Sequence, residues 1–187
     1  MLGWLRKRRA NGGTDKLDEW RRRWREAAAA PEGVLVASLS ADLHDLALPE
    51  EEIEIEREML DGLDQAWRLH VALEADGLPV VETGHRVFGT ETCHFSAPSS
   101  MPDDAAQPSG RLIFTGARAI FAGGTHAVTL PWHTVADVAQ QERDVILIRH
   151  DRETFHRFRC NVFADALCAG LLARTLAHRA RGGRTGR

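Results

Sequence analysis

Tyrosine is absent from the 187 residues, aromatic residues make up only 6%, and cysteine occurs three times. Cys93, Cys160 and Cys168 form an odd set with no C-x-x-C pair, which excludes a disulfide framework and a ribbon-type zinc site and fits a reducing compartment. No apolar run approaches the ~18–20 residues that would span a bilayer. The opening Met1-Leu2-Gly3-Trp4-Leu5 puts its apolar residues before Arg6-Lys7-Arg8-Arg9, the reverse of a secretory signal. A cytoplasmic protein is therefore expected, with a peripheral position at the inner face of the membrane as its variant. With 43% apolar and 27% charged residues, usage is that of one medium globular domain with appendages, not of a disordered or collagen-like chain.

Lysine is nearly absent too. Among 24 basic residues only Lys7 and Lys16 are lysines, and this Arg- and Ala-rich wording is that of a high-GC bacterial coding bias. The net charge of −3 hides segregation along the chain: nine basic and four acidic residues over 1–26, three and seventeen over 27–110, twelve and six over 111–187.

Residues 1–13, ending in Asn11-Gly12-Gly13, read as a flexible basic leader. A helical segment is expected over 14–77. Thr14 or Asp15 caps a first helix with Leu17, Trp20, Trp24 and Ala27 or Ala28 at helical spacing, and Pro31 stops it. A second runs from Glu32 to about Ala47, and Pro49 opens a third that reaches Asp76 before Gly77. This third helix carries two apolar stripes, one through Ile53, Leu60, Leu63, Trp67 and Val71, the other through Ile55, Met59, Ala66, Leu69 and Leu73, so it is expected to pack on more than one element. Its carboxylates from Glu50 to Glu58 read as a solvated first turn favoured by the helix dipole, with the option of docking on the basic helix around Arg21 to Arg25.

After Pro79 the apolar period shortens. Val80-Val81, Val87-Phe88 and Thr92 to Ser96 suggest strands, and Ala97 to Gly110, with three prolines, reads as a loop. Arg111–Thr115 and Arg118–Ala122 flank Gly116-Ala117 as a hairpin, and Gly123-Gly124 turns the chain into Thr125–Leu130. Strands at Trp132–Ala139, Arg143–His150 and Glu153–Cys160 follow, the last two separated by an Asp151-Arg152 turn. A broad-faced helix then begins with Asn161 as cap, before a basic tail at 181–187.

The stretch from Gly110 to Gly123, G-R-L-I-F-T-G-A-R-A-I-F-A-G, resembles the paired-strand pattern G-x-L-x-x-T-x-x-R-x-x-F of GRAM-type domains in the pleckstrin-homology-like superfold. Val128 to Val138, with Pro131 and Trp132, looks like the strand that follows in that family. The likeness continues through Val145–Ile148, Phe155, Phe158 and the helix from Asn161. It covers roughly 79–180. It implies an α+β protein in which an N-terminal helical segment precedes a small antiparallel β-barrel, residues 78–180, capped by a C-terminal helix. It also implies a binding module for inositol lipids or protein segments, not a catalyst. One departure weighs against lipid: Ser96 to Gly110 carries Asp103 and Asp104 and no basic residue to neutralise a phosphorylated headgroup.

No catalytic residue, cofactor site or metal site is expected. Cys93 and His94 are adjacent and point to opposite faces of a strand, and His150 and His156 straddle a turn. Gly123-Gly124 joins strands and cradles no phosphate. The expected function is a non-catalytic interaction module holding a protein partner at a strand edge or in the groove beside the closing helix. The first alternative is an anionic membrane surface contacted by Trp4, Leu5, Arg6, Lys7, Arg8 and Arg9; the second is an enzyme with a pocket no motif announces. Self-association is compatible with either, and the negative total charge disfavours nucleic acid.

Overall fold

The computed structural model describes residues 3–82, 90–124, 126–151 and 153–182, with side chains from Asp15 onward except that of His126. Helix α1 spans Gly3–Ala29, α2 Gly33–Asp45 and α3 Glu54–Ala75, with a short 3-10 turn at Glu50–Glu52 before α3. The strands are β1 Cys93–Ser100, β2 Ser109–Thr115, β3 Arg118–Gly123, β4 His126–Pro131, β5 Val135–Gln141, β6 Asp144–Arg149 and β7 Phe155–Cys160, and α4 closes the chain over Phe163–Gly182. No described helix is long and apolar enough to cross a membrane.

Trp20, Trp24, Ala27 and Ala28 repeat at intervals of three and four, so they share one face of α1, and all are buried. A buried indole N–H must find an acceptor. Trp20 Nε1 donates to the Leu39 carbonyl of α2 at 2.8 Å, and Trp24 Nε1 to the Met59 carbonyl of α3 at 2.7 Å. Those two bonds tie the three helices into one unit around Leu39, Leu43, Leu63 and Ala66. The helix starts at Gly3 and not at the expected Thr14 or Asp15, because extending an anchored helix adds a bond for each residue ordered and needs no new nucleus. The third helix begins later than expected. Ile53 is drawn into the core at φ −125°, outside the helical range, and breaks the path from Pro49. Gly77, at φ +83°, takes the left-handed position that ends α3.

The seven strands form one antiparallel sheet in the order β4-β3-β2-β1-β7-β6-β5. The outermost strands, β4 and β5, are not paired to each other, yet only the 3-10 turn Trp132–Thr134 separates them in sequence. A connection this short forces the sheet to curl until its two ends approach, which gives a barrel-like but unclosed architecture. Trp132 is fully buried at that seam, its Nε1 donating to the Thr115 carbonyl at 2.8 Å and its ring meeting Phe114 edge-on at 5.1 Å. Leu112, Phe114, Phe121, Val145, Leu147 and Phe158 fill the interior, and α4 covers it with Ala166, Ala169, Leu172, Ala173, Leu176 and Ala177.

Two expectations along the sheet are corrected. The supposed loop from Ala97 shrinks to 101–108, because β1 continues through Pro98 to Ser100. Proline is tolerated there since β7 reaches β1 only at Ser99 and Ser100, leaving Pro98 beside an open edge. Val80-Val81 is no strand, although the Val81 N–H donates to the Cys93 carbonyl at 2.8 Å. Val87-Phe88 lies outside the described residues.

The helical unit packs on the sheet unit through α3 and α4. A Cβ added at Gly62 of α3 would lie 2.8 Å from the Ala164 backbone nitrogen and 3.1 Å from the Phe163 carbonyl carbon, so only glycine permits this approach. Gly62→Val is expected to lower stability by about 1–3 kcal/mol, read as a shifted denaturant midpoint. An unchanged midpoint would show that this contact does not hold the two units together.

Candidate functional site: a cleft between the helices and the sheet

One carboxylate bridges the junction. Glu58 Oε1 accepts the backbone N–H of Phe163 at 3.0 Å, and Glu58 Oε2 accepts from Arg143 Nη2 at 2.5 Å. Phe163 opens α4, so Glu58 supplies the cap expected from Asn161 and places negative charge where the helix dipole favours it. Arg143 follows Glu142, which takes a left-handed φ of +53° in the β5–β6 turn, and its guanidinium lies 4.7 Å above the Phe163 ring. Trp24 meets that ring edge-on at 5.4 Å. Three elements of distant sequence thus converge on Phe163.

The carboxylates of Glu50, Glu51, Glu52 and Glu54 are exposed, as the sequence suggested, but that of Glu56 is not. Glu56 is only 1% exposed and pairs with Arg21 Nη2 at 2.6 Å, so the docking of the acidic helix on the basic one does occur. Its Oε2 is buried with no hydrogen-bond partner, so removing Arg21 would leave this charge uncompensated. Glu50, by contrast, pairs with Arg57 at the surface.

Beside these contacts opens a cleft of about 610 Å³. Trp24, Met59 and Phe163 form its apolar floor, and Arg21, Arg143 and Arg159 its rim. Arg159 is already engaged, donating from Nε and Nη2 to the two oxygens of Asp144 at 2.8 and 3.0 Å. These hydrogen bonds, followed by the attraction of the same carboxylate, raise the Arg159 pKa further. At the mouth stand Ile55, 56% exposed, and Arg25, which has no ion-pair partner among the described residues. A second recess of about 400 Å³ shares Trp24, Arg25 and Glu142 and extends the cleft along Gln140 and Gln141.

The residues considered for chemistry do not assemble. Among the described residues no group of three His, Cys, Asp or Glu could hold a metal. Cys93 is buried and lies 3.2 Å from the Phe95 carbonyl, while His94 is half-buried and contacts the Pro79 carbonyl at 2.7 Å; a bulge between Cys93 and Phe95 interrupts the strict alternation expected of this strand. Burial, and then nearby carboxylates, push the Cys160 thiol up to about 12 and the Cys168 thiol up to about 11; burial raises Cys93 as well. None is a poised thiolate. Burial, with Arg149 secondary, lowers the His156 pKa beside Phe158. Trp4, Leu5, Arg6, Lys7, Arg8 and Arg9 lie in α1, but their side chains fall outside the described residues.

No family model matches the chain, and no curated protein sequence matches it. Among solved structures, the C-terminal domain of an unknown protein from Leishmania infantum aligns at 11% identity and a TM-score of 0.38, over 58% of this chain and 94% of that one. The DH/PH domains of PDZ-RhoGEF, solved with GTP-gamma-S activated RhoA, align at 12% identity and a TM-score of 0.41, over 88% of this chain and 54% of that one. Linker-DH/PH domains of p115-RhoGEF align at 6% identity and 0.41, over 87% and 55%. This chain therefore spans about half the length of those two DH/PH chains. Strand order and closing helix themselves define the class: a pleckstrin-homology-like α+β fold with a helical unit before it.

Two measurements check this geometry. Glu58→Ala, which removes both the cap and the ion pair, should cost about 2–3 kcal/mol, and Glu58→Gln, which keeps an acceptor for the Phe163 N–H, distinctly less. Equal losses would exclude the cap. In the folded protein a thiol reagent at pH 8 should leave Cys160 and Cys168 unmodified, because their folded values of about 12 and about 11 lie above the ordinary 9.0. Their protons are held more tightly folded than unfolded, so this contribution to stability is intact below pH 9 and is lost as the pH rises through about 11 and about 12.

Proposed function

We propose that the chain is a non-catalytic, GRAM-type interaction module of a bacterial cytoplasm, and that it holds a protein segment in the cleft between α1, α3 and the β5–β6 turn. The observation that carries this reading is the combination at the cleft mouth: a half-exposed isoleucine above an apolar floor, beside an arginine with no ion-pair partner among the described residues. Such a site suits a segment that inserts an aliphatic or aromatic side chain over Trp24 and Phe163 and presents a carboxylate to Arg25. Its walls are held by Glu58, Arg143 and the Gly62 contact, so little ordering entropy opposes binding. Among the described residues the raised Cys160 and Cys168 thiols offer no poised nucleophile, which supports binding over turnover.

The test compares proteins retained from native lysate by the full chain with those retained by Ile55→Asp and Arg25→Glu. Loss of an anchor contact is worth roughly 1–3 kcal/mol, so a specific partner should be held about tenfold or more weakly by either variant. Retention unchanged by both would place recognition elsewhere. Binding to anionic vesicles that disappears on deleting residues 1–13, with no effect of the cleft variants, would move function to the basic N-terminus. Substrate turnover lost with Cys93 or His94 would overturn the non-catalytic reading.

A further inference from the structure

The two outer strands of the sheet treat their free edges differently. On β5 a bulge at Val135/Asp137 interrupts pairing, the Ala136 carbonyl accepts from Arg181 Nη1 of α4 at 2.9 Å, and the Val138 N–H donates to the Asp137 carboxylate at 2.8 Å. Helix α4 lies alongside, with Gly170 against Gln140. That edge is closed to another strand. On β4 there is no bulge, and His126 to Pro131 contains no Lys, Arg, Asp or Glu.

The ladder shows which groups β4 leaves open. The Trp132 N–H donates to the Ala117 carbonyl at 3.1 Å, and strict alternation from that pair puts the β3–β4 hydrogen bonds at Ala119–Leu130, Phe121–Val128 and Gly123–His126. The N–H and C=O groups of Ala127 and Thr129 then point away from β3, as does the carbonyl of Pro131, whose missing N–H costs the ladder nothing. Both Ala127 and Thr129 have exposed side chains, while Val128 is half-buried against the core.

We propose that the β4 edge is a self-association surface, on which two copies of this chain pair β4 to β4 antiparallel about a two-fold axis at Val128. In that register Ala127 faces the partner's Thr129 and Thr129 the partner's Ala127, so the outward groups form four backbone hydrogen bonds. Val128 meets the partner's Val128 at a non-hydrogen-bonded position, where side chains lie closest. A second copy suits this edge because both strands are free of like charge and their donors and acceptors match under the two-fold. The closed β5 edge prevents addition of further copies, so association stops at a dimer and does not run into fibres. This pairing is independent of the cleft.

Sedimentation velocity of the full chain over about a hundredfold range of concentration should show a monomer–dimer equilibrium. Thr129→Pro removes an outward donor and no internal ladder bond, so it should weaken the dimer about tenfold or more while circular dichroism stays unchanged. If that variant misfolds, Ala127→Lys/Thr129→Lys decides, because it sets lysine against lysine across the axis and leaves the backbone intact. Mixing it with Ala127→Glu/Thr129→Glu should restore a heterodimer. Val128→Cys should cross-link one protomer to its partner under mild oxidation. A wild-type chain that stays monomeric throughout would overturn the proposal and leave the edge to an extended segment of another protein. A dimer unchanged by the lysine pair would overturn it by placing association on another surface.

Discussion

Helix α4 belongs to two cores at once, and the rest of the structure depends on that sharing. Ala166, Ala169, Leu172, Ala173 and Leu176 seal the interior of the sheet, while Phe163 and Leu167 lie in the core of the helical unit with Trp24, Leu63 and Ala66. Alanine and glycine make this possible, since a helix packed on both sides must let backbones approach within a small-residue distance. Gly62 on α3 is the matching concession from the other side. The N-terminal helices are therefore part of the architecture and not an appendage to a barrel.

The polar groups at this junction follow from the packing. Once Phe163 is set between the two units, its N–H has no acceptor within α4, and Glu58 provides one. The second Glu58 oxygen draws Arg143 over the Phe163 ring, and Arg21 must follow Glu56 into the same region to neutralise a nearly buried carboxylate. Most arginines here are thus engaged in holding the walls. Among the described residues of the cleft Arg25 has no ion-pair partner, and with Ile55 it gives the cleft its chemical character. Edge management shows a similar division: β5 is covered by α4 and its own Asp137, whereas among the described residues no strand pairs with the outer edge of β4.

Much of the architecture was legible along the chain. Gly116-Ala117 between two apolar runs announced the β2–β3 hairpin, Val145 to Ile148 lies in β6, and Trp20 and Trp24 at helical spacing announced the buried face of α1. The second apolar stripe on α3 signalled a second partner, which proved to be α4. Pro98 misled because its tolerance in β1 depends on how far β7 extends beside it, and that is a property of the assembled sheet. Ile53 misled because the demand to bury its side chain outweighed a favourable helix start at Pro49. Glu58 could not have been found: nothing near it in sequence needs its oxygens, and Phe163 lies 105 positions away.

What the sequence determined by itself was whatever depends on near neighbours: helices from a period of three to four, strands from a shorter one, turns from glycine and proline, and through these an α+β chain of pleckstrin-homology-like order. What only the tertiary structure decided was whatever depends on groups brought together by closure: which carboxylates are buried, where α4 is capped, the walls of the cleft, and which strand edge is free. Local periodicity is written in the backbone's own geometry, whereas a cap, a cleft or an edge exists only after loops of many residues have been closed against their entropy.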